Sequence, residues 1–163
     1  MNKVRSNFPV LRQYIYANTA ALGLFSDDIL DWRQEHDLDF LLKGSGMRTE
    51  GLKIIEETRE SVASLFHCKS DSVALVPNFS LGINMVLNSL KEGAKVALLE
   101  NDYPSVNWPF ETRSFKTFQI SITTQLEDDI KNLIAKENID VLALSLVQWL
   151  NGIKVDLDLL KQL

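Results

Sequence analysis

Cysteine and histidine are scarce: Cys68, His36 and His67 are the only ones among 163 residues. A single cysteine excludes an internal disulfide and a multi-cysteine metal site, and two histidines are too few for a zinc cluster. No metal is expected, and the compartment reads as reducing. No apolar run approaches the roughly twenty residues that cross a bilayer, and the polar, charged start lacks the apolar core of a signal peptide, so the cytoplasm is the expected location. Basic charge is also short, with 17 Lys and Arg against 22 Asp and Glu, a net charge of -5 and a pI near 5.0. That balance gives no general attraction for nucleic acid or an anionic membrane, and any anion site must be built locally. Internal repeats, low-complexity tracts and an interdomain linker are lacking too.

What is present is ordinary globular material, 45% hydrophobic and 24% charged, long enough for one sizeable core. Ser26, Asp27 and Asp28 make a helix start, and 29–42 carries enough apolar residues to pack before Gly44, Ser45 and Gly46 break the helix. A second helix is expected over 49–66, with Leu52, Ile55, Val62 and Phe66 facing inward and Glu56, Glu57 and Glu60 facing water. Strands are expected at 73–76, 95–99, 117–122 and 140–146. Between them fall a helix from Leu81, a helical turn over 105–112 and an amphipathic helix over 125–136. N-terminal helices followed by this alternation predict an α/β fold, its sheet mainly parallel with helices on both faces. After a turn at Asn151 and Gly152, Asp156 or Asp158 can cap a helix through Leu157, Leu159, Leu160 and Leu163. Its apolar stripe is still running at the last residue. It reads as an interrupted domain, or as a short terminal helix docked on the sheet.

The most informative stretch is 78–84, Asn-Phe-Ser-Leu-Gly-Ile-Asn. It places a hydroxyl and a glycine between an apolar strand ended by Pro77 and a helix carrying Ile83, Val86, Leu87 and Leu90 on one face. The first N–H groups of such a helix have no partner within it and its dipole favours an anion, so a phosphate can be held there with help from Ser80. Alternatively, Ser80 is simply the N-cap. Two segments follow later strands at the sheet edge where ligands bind in open α/β folds: Asp102-Tyr103-Pro104-Ser105, and Val147-Gln148-Trp149-Leu150-Asn151-Gly152. Tyr103 can stack on a planar ligand or pack its loop, and Gln148 can hydrogen-bond a ligand or mark a polar strand end. The small residues of 16–24, including Asn18 and Thr19, allow close backbone approach or a tight turn.

Together, Asn-Thr-Ala-Ala-Leu-Gly-Leu from Asn18, Phe-Ser-Leu-Gly-Ile-Asn, Tyr-Pro-Ser and Val-Gln-Trp-Leu-Asn-Gly resemble, in order and spacing, the class V aminotransferase family of pyridoxal-phosphate enzymes. Cysteine desulfurases, kynureninases and isopenicillin N epimerase belong to it. The resemblance implies a fold type I large domain that binds pyridoxal 5′-phosphate. The Phe79 and Ser80 amides and the Ser80 hydroxyl would hold its phosphate, Tyr103 would stack on the ring, Gln148 would lie near the O3′ edge, and Asn18 and Thr19 would lie on the substrate side. Phe79 replaces a smaller residue of many members, so only its backbone role carries over. Leu81 stands where desulfurases commonly have an acid, and Tyr103 where they have histidine, which favours the kynureninase and epimerase side.

The family's Schiff-base lysine and the aspartate opposite its pyridine nitrogen come from later strands. No lysine here stands in that context, and Lys154 and Lys161 are assigned to solvent. The expectation is therefore an N-terminal arm and helix over 1–48, then over 49–163 the first part of the cofactor domain, with no catalytic residue of its own. Such a chain is the N-terminal part of an enzyme acting on an amino acid or amine, homodimeric when complete. The alternatives are a non-catalytic remnant or subunit that pairs with another chain, and a phosphate-ligand binding domain without this cofactor's chemistry.

Overall fold

Residues 3–163 are described by a computed structural model of the protein. The chain divides into two units, Met1–Leu75 and Val76–Leu163. The first is helical, with α1 (Lys3–Ser6), α2 (Asp27–Lys43) and α3 (Met47–Phe66), so the boundary drawn after residue 48 falls in the first turn of α3. α2 begins as its sequence requires: Ser26 Oγ accepts the Ile29 N–H at 3.3 Å, and Asp27 and Asp28 sit in the first turn, where the dipole favours acid. At its other end Lys43 donates to Asp39 at 2.8 Å, a hydrogen bond that holds the ammonium pKa above its ordinary value.

The inward faces expected of these helices are not buried within the unit. α2 buries none of its residues. On α3, Leu52, Ile55 and Phe66 are exposed and Val62 is half-buried, while Met47 and Ala63 are the buried positions. An apolar stripe needs an opposing layer, and among the described residues of this unit no sheet or third long helix supplies one. The chain's accessible surface of 12147 Å² accordingly exceeds the roughly 9,900 Å² expected of two separate compact units of half its mass.

Arg59 ties α3 to the segment after it. Its Nε donates to the Val73 carbonyl at 3.0 Å, one Nη to the Ser70 carbonyl at 2.8 Å, and the other meets Glu56 at 3.1 Å. This corrects the strand expected at 73–76. Val73 has extended dihedrals but joins no sheet, because its carbonyl is served by a guanidinium instead of a neighbouring strand. Arg59→Ala is expected to destabilise this unit by about 1–2 kcal/mol, seen as a lower denaturation midpoint. Arg59→Lys should recover little, since one ammonium cannot span the fork.

The second unit runs α4 (Phe79–Asn88), β1 (Lys95–Leu99), α5 (Pro104–Glu111), β2 (Lys116–Ile120), α6 (Leu126–Glu137), β3 (Val141–Ala143) and α7 (Leu157–Gln162). Its three strands form a parallel sheet in the order β2-β1-β3, with Ala97 opposite both Phe118 and Leu142. Alternation along β1 builds two cores. Ala97 and Leu99 pack with Ile120, Leu126, Ile130, Val155 and Leu159, while Val96 and Leu98 pack with Leu87 and Phe110. Helices α6 and α7 thus cover one face, and α4 and α5 the other.

β3 is shorter than expected because both its ends are diverted. The Asp140 carboxylate accepts the Lys95 N–H at 2.8 Å, and the Ser145 N–H is taken by Asp102. Ile83 and Leu87 on α4, and Leu90 just beyond its end, pack as expected, but Val86 is exposed. Asp156 caps α7 by accepting the Asp158 N–H at 2.8 Å, and Leu159 docks on the core. Among the described residues, no helix is long and apolar enough to cross a membrane.

Candidate functional site

The loops at the carboxyl ends of β1 and β3 are drawn together by one buried carboxylate. Asp102, 4% exposed, accepts the Tyr103 N–H through Oδ1 and the Ser145 N–H through Oδ2, both at 2.6 Å. Asn101 reaches this loop through a left-handed backbone conformation, φ 59°, which asparagine tolerates better than most residues. Pro104 then opens α5 at a position where a missing N–H costs nothing.

The segment 147–154 folds back on itself. The Gln148 N–H donates to the Ile153 carbonyl at 2.8 Å, the Gly152 N–H to the Gln148 carbonyl at 2.9 Å, and Val147 bridges Lys154. Gly152, at φ 74°, supplies the turn conformation that a side chain would strain. Trp149 leaves this turn to donate its indole N–H to the Asn101 carbonyl at 3.1 Å and to stand edge-on to Tyr103, ring centroids 5.6 Å apart and planes at 89°.

The start of α4 completes the site. Asn78 is its N-cap, with Oδ1 accepting the Leu81 N–H at 2.9 Å, so Ser80 is not the cap. Among the described residues, the Ser80 hydroxyl and the backbone N–H groups of Phe79 and Ser80 have no partner. Gly82 lets this helix approach the preceding segment: a Cβ there would lie 3.1 Å from Val76 Cγ2.

A cavity of about 430 Å³ lies here, lined by Asn78, Phe79, Ser80, Tyr103, Ser105, Val106, Ser145 and Trp149. It gathers three of the expected site residues, Phe79, Ser80 and Tyr103. Gln148 is not part of its wall. At 2% exposure its Nε2 donates to the Ser145 carbonyl at 2.8 Å, so it supports a lining residue from behind. Asn18 and Thr19 lie in an exposed turn of the first unit, where Ala21 and Leu22 donate to the Asn18 carbonyl and the Tyr16 hydroxyl donates to the Leu22 carbonyl at 2.8 Å.

Sequence reasoning missed the wall contributed by Trp149 and Ser145 and the clamp made by Asp102. An acidic residue just after a buried strand was the available signal for the clamp. Chemically, the cavity offers an anion two free N–H groups, a hydroxyl and a helix N-terminus, and offers a planar ring an aromatic pair. Among the described residues, no lysine, arginine or acid lines it. No His, Cys, Asp and Glu grouping among the described residues could hold a metal ion. No protein-family model matches the chain, and no curated protein matches it.

Proposed function

We propose that this cavity is the phosphate-and-ring part of a pyridoxal 5′-phosphate site of the fold type I, class V aminotransferase kind, in a protein acting on an amino acid or amine. One observation carries the reading: unpartnered first-turn amides and a free Ser80 hydroxyl share a single cavity with Tyr103 and Trp149. The Phe79 and Ser80 N–H groups and the Ser80 hydroxyl would hold the phosphate, and Tyr103, braced by Trp149, would lie against the ring. Asp102 holds the loop that presents Tyr103, and Val106 and Trp149 exclude water. When bound, the cofactor supplies an electron sink for bonds at the carbon carrying the substrate's amino group. With no lysine or acid in the wall, covalent attachment and the partner of the pyridine nitrogen fall to residues beyond those lining the cavity.

The test uses 4′-deoxypyridoxine 5′-phosphate, which cannot form an imine with stray lysines, titrated against tryptophan fluorescence. Ser80→Ala is expected to weaken its binding by about tenfold, the size of one hydrogen bond to a charged group. Tyr103→Leu should weaken it by about fivefold. Failure of the analogue to bind, or indifference to Ser80→Ala, overturns the reading. Equal protection by inorganic phosphate would mark a plain phosphate site instead.

A second reading, a subunit that pairs with another polypeptide, is favoured by the exposed apolar side chains Trp32, Phe40, Leu52 and Ile55. A monomer with cooperative unfolding in sedimentation and denaturation experiments counts against it.

A further inference from the structure

A hydrogen-bonded chain joins one cation to the first turn of α4. Arg113, just after α5, donates through one Nη to Asn84 Oδ1 at 2.8 Å, and Asn84 Nδ2 donates to the Ser80 carbonyl at 2.7 Å. The arginine fixes the sense of the amide, since a flipped one would set donor against donor and oxygen against oxygen. The peptide unit between Ser80 and Leu81 is thereby held at both ends. Its carbonyl accepts from Asn84, and its N–H donates to the Asn78 cap at 2.9 Å. The turn that carries the free Phe79 and Ser80 N–H groups is fixed by this clamp.

The charge of Arg113 is not neutralised. It joins no ion pair among the described residues, and Glu111, the acid closest to it in sequence, accepts from the Gln119 amide instead. Its bond to Asn84 is part-buried, and its other Nη is enclosed with no acceptor. Burying a charge without a carboxylate costs the fold, so a neutral donor would serve better if the bond only strapped α5 to α4. α4 itself has no charged residue.

We infer that Arg113 is a positioning residue of the anion site. Through Asn84 it fixes the first turn of α4, and it adds the positive charge that the cavity wall lacks. The inference rests on the cofactor reading, with the phosphate as the anion.

The experiment titrates the full chain with 4′-deoxypyridoxine 5′-phosphate at low and high ionic strength by tryptophan fluorescence, with denaturation midpoints measured alongside. Arg113→Met, which removes charge and donor, should weaken binding about fivefold at low salt and about twofold at high salt, where the charge is screened. Arg113→Lys should stay within about twofold of wild type, since it keeps the charge and only one N–H bond is needed. Asn84→Leu, which breaks the chain and leaves the charge, should weaken binding about threefold and keep the wild-type salt dependence. A purely structural strap would lower the midpoint without altering the response to salt. Wild-type affinity in Arg113→Met, or a deficit that salt does not shrink or lysine does not relieve, overturns the inference while the cofactor reading stands. If Arg113→Met does not fold, Asn84→Leu carries the test, and unchanged affinity there overturns the inference. Failure of the wild-type chain to bind the analogue overturns both.

Discussion

Asp102→Ala is expected to destabilise the second unit by about 2–3 kcal/mol and to abolish binding of the phosphorylated pyridine analogue. The carboxylate accepts two short backbone hydrogen bonds from loops 43 residues apart in sequence, and both are charge-assisted. Removing it strands the Tyr103 and Ser145 N–H groups together. Both are only partly buried, so water offsets some of the loss and the effect stays below the sum of two full penalties. Even so, it is a large share of the roughly 5–15 kcal/mol that holds a domain folded. Binding suffers more than stability because Tyr103 and Ser145 are themselves cavity walls. Asp102→Asn keeps one acceptor but turns an N–H toward one of the two donors, so it should recover less than half of the loss. Denaturant midpoints and the fluorescence titration read the two effects separately. An Asp102→Ala variant of unchanged stability would show that the Trp149 bond to Asn101 carries the loops alone.

How far such contacts were legible depends on their range. β1 was readable to the residue because a continuous apolar run between polar turns leaves a buried central strand little alternative. The run at 73–76 has the same local character and yet pairs with nothing, since strand pairing belongs to the partner as much as to the segment. Likewise, the stripe on α3 states what needs covering and not what covers it.

At the site, the start of a helix was legible while the choice of cap was not. Asn78 and Ser80 are both good capping residues, and only geometry assigns the cap to Asn78 and so frees the Ser80 hydroxyl. In 147–154 the tight fold-back decides which neighbour points inward. It buries Gln148 against Ser145 and sends Trp149 to Tyr103. Asp102 spans too many residues for any local pattern to reveal its second partner.

Ser80→Asp is expected to separate binding from folding at this site. The position lies in the first turn of α4, which carries no acidic residue of its own. A carboxylate there favours the helix by about 0.3–1 kcal/mol through the dipole. Toward a bound phosphate the same charge is repulsive, by about 4 kcal/mol per charge pair at 4 Å with an effective dielectric near 20. Affinity for 4′-deoxypyridoxine 5′-phosphate should therefore fall by more than about a hundredfold, while the denaturation midpoint holds or rises. Ser80→Ala, which removes a donor without adding charge, should fall between wild type and Ser80→Asp in affinity. If Ser80→Asp binds the analogue normally, the anion lies elsewhere and α4 serves the fold alone. If it loses stability together with binding, the first turn is packed more closely than its exposed Phe79 and Leu81 indicate, and the test passes to Ser80→Ala. Loss of affinity with stability intact is the outcome that only a phosphate held at the first turn of α4 produces.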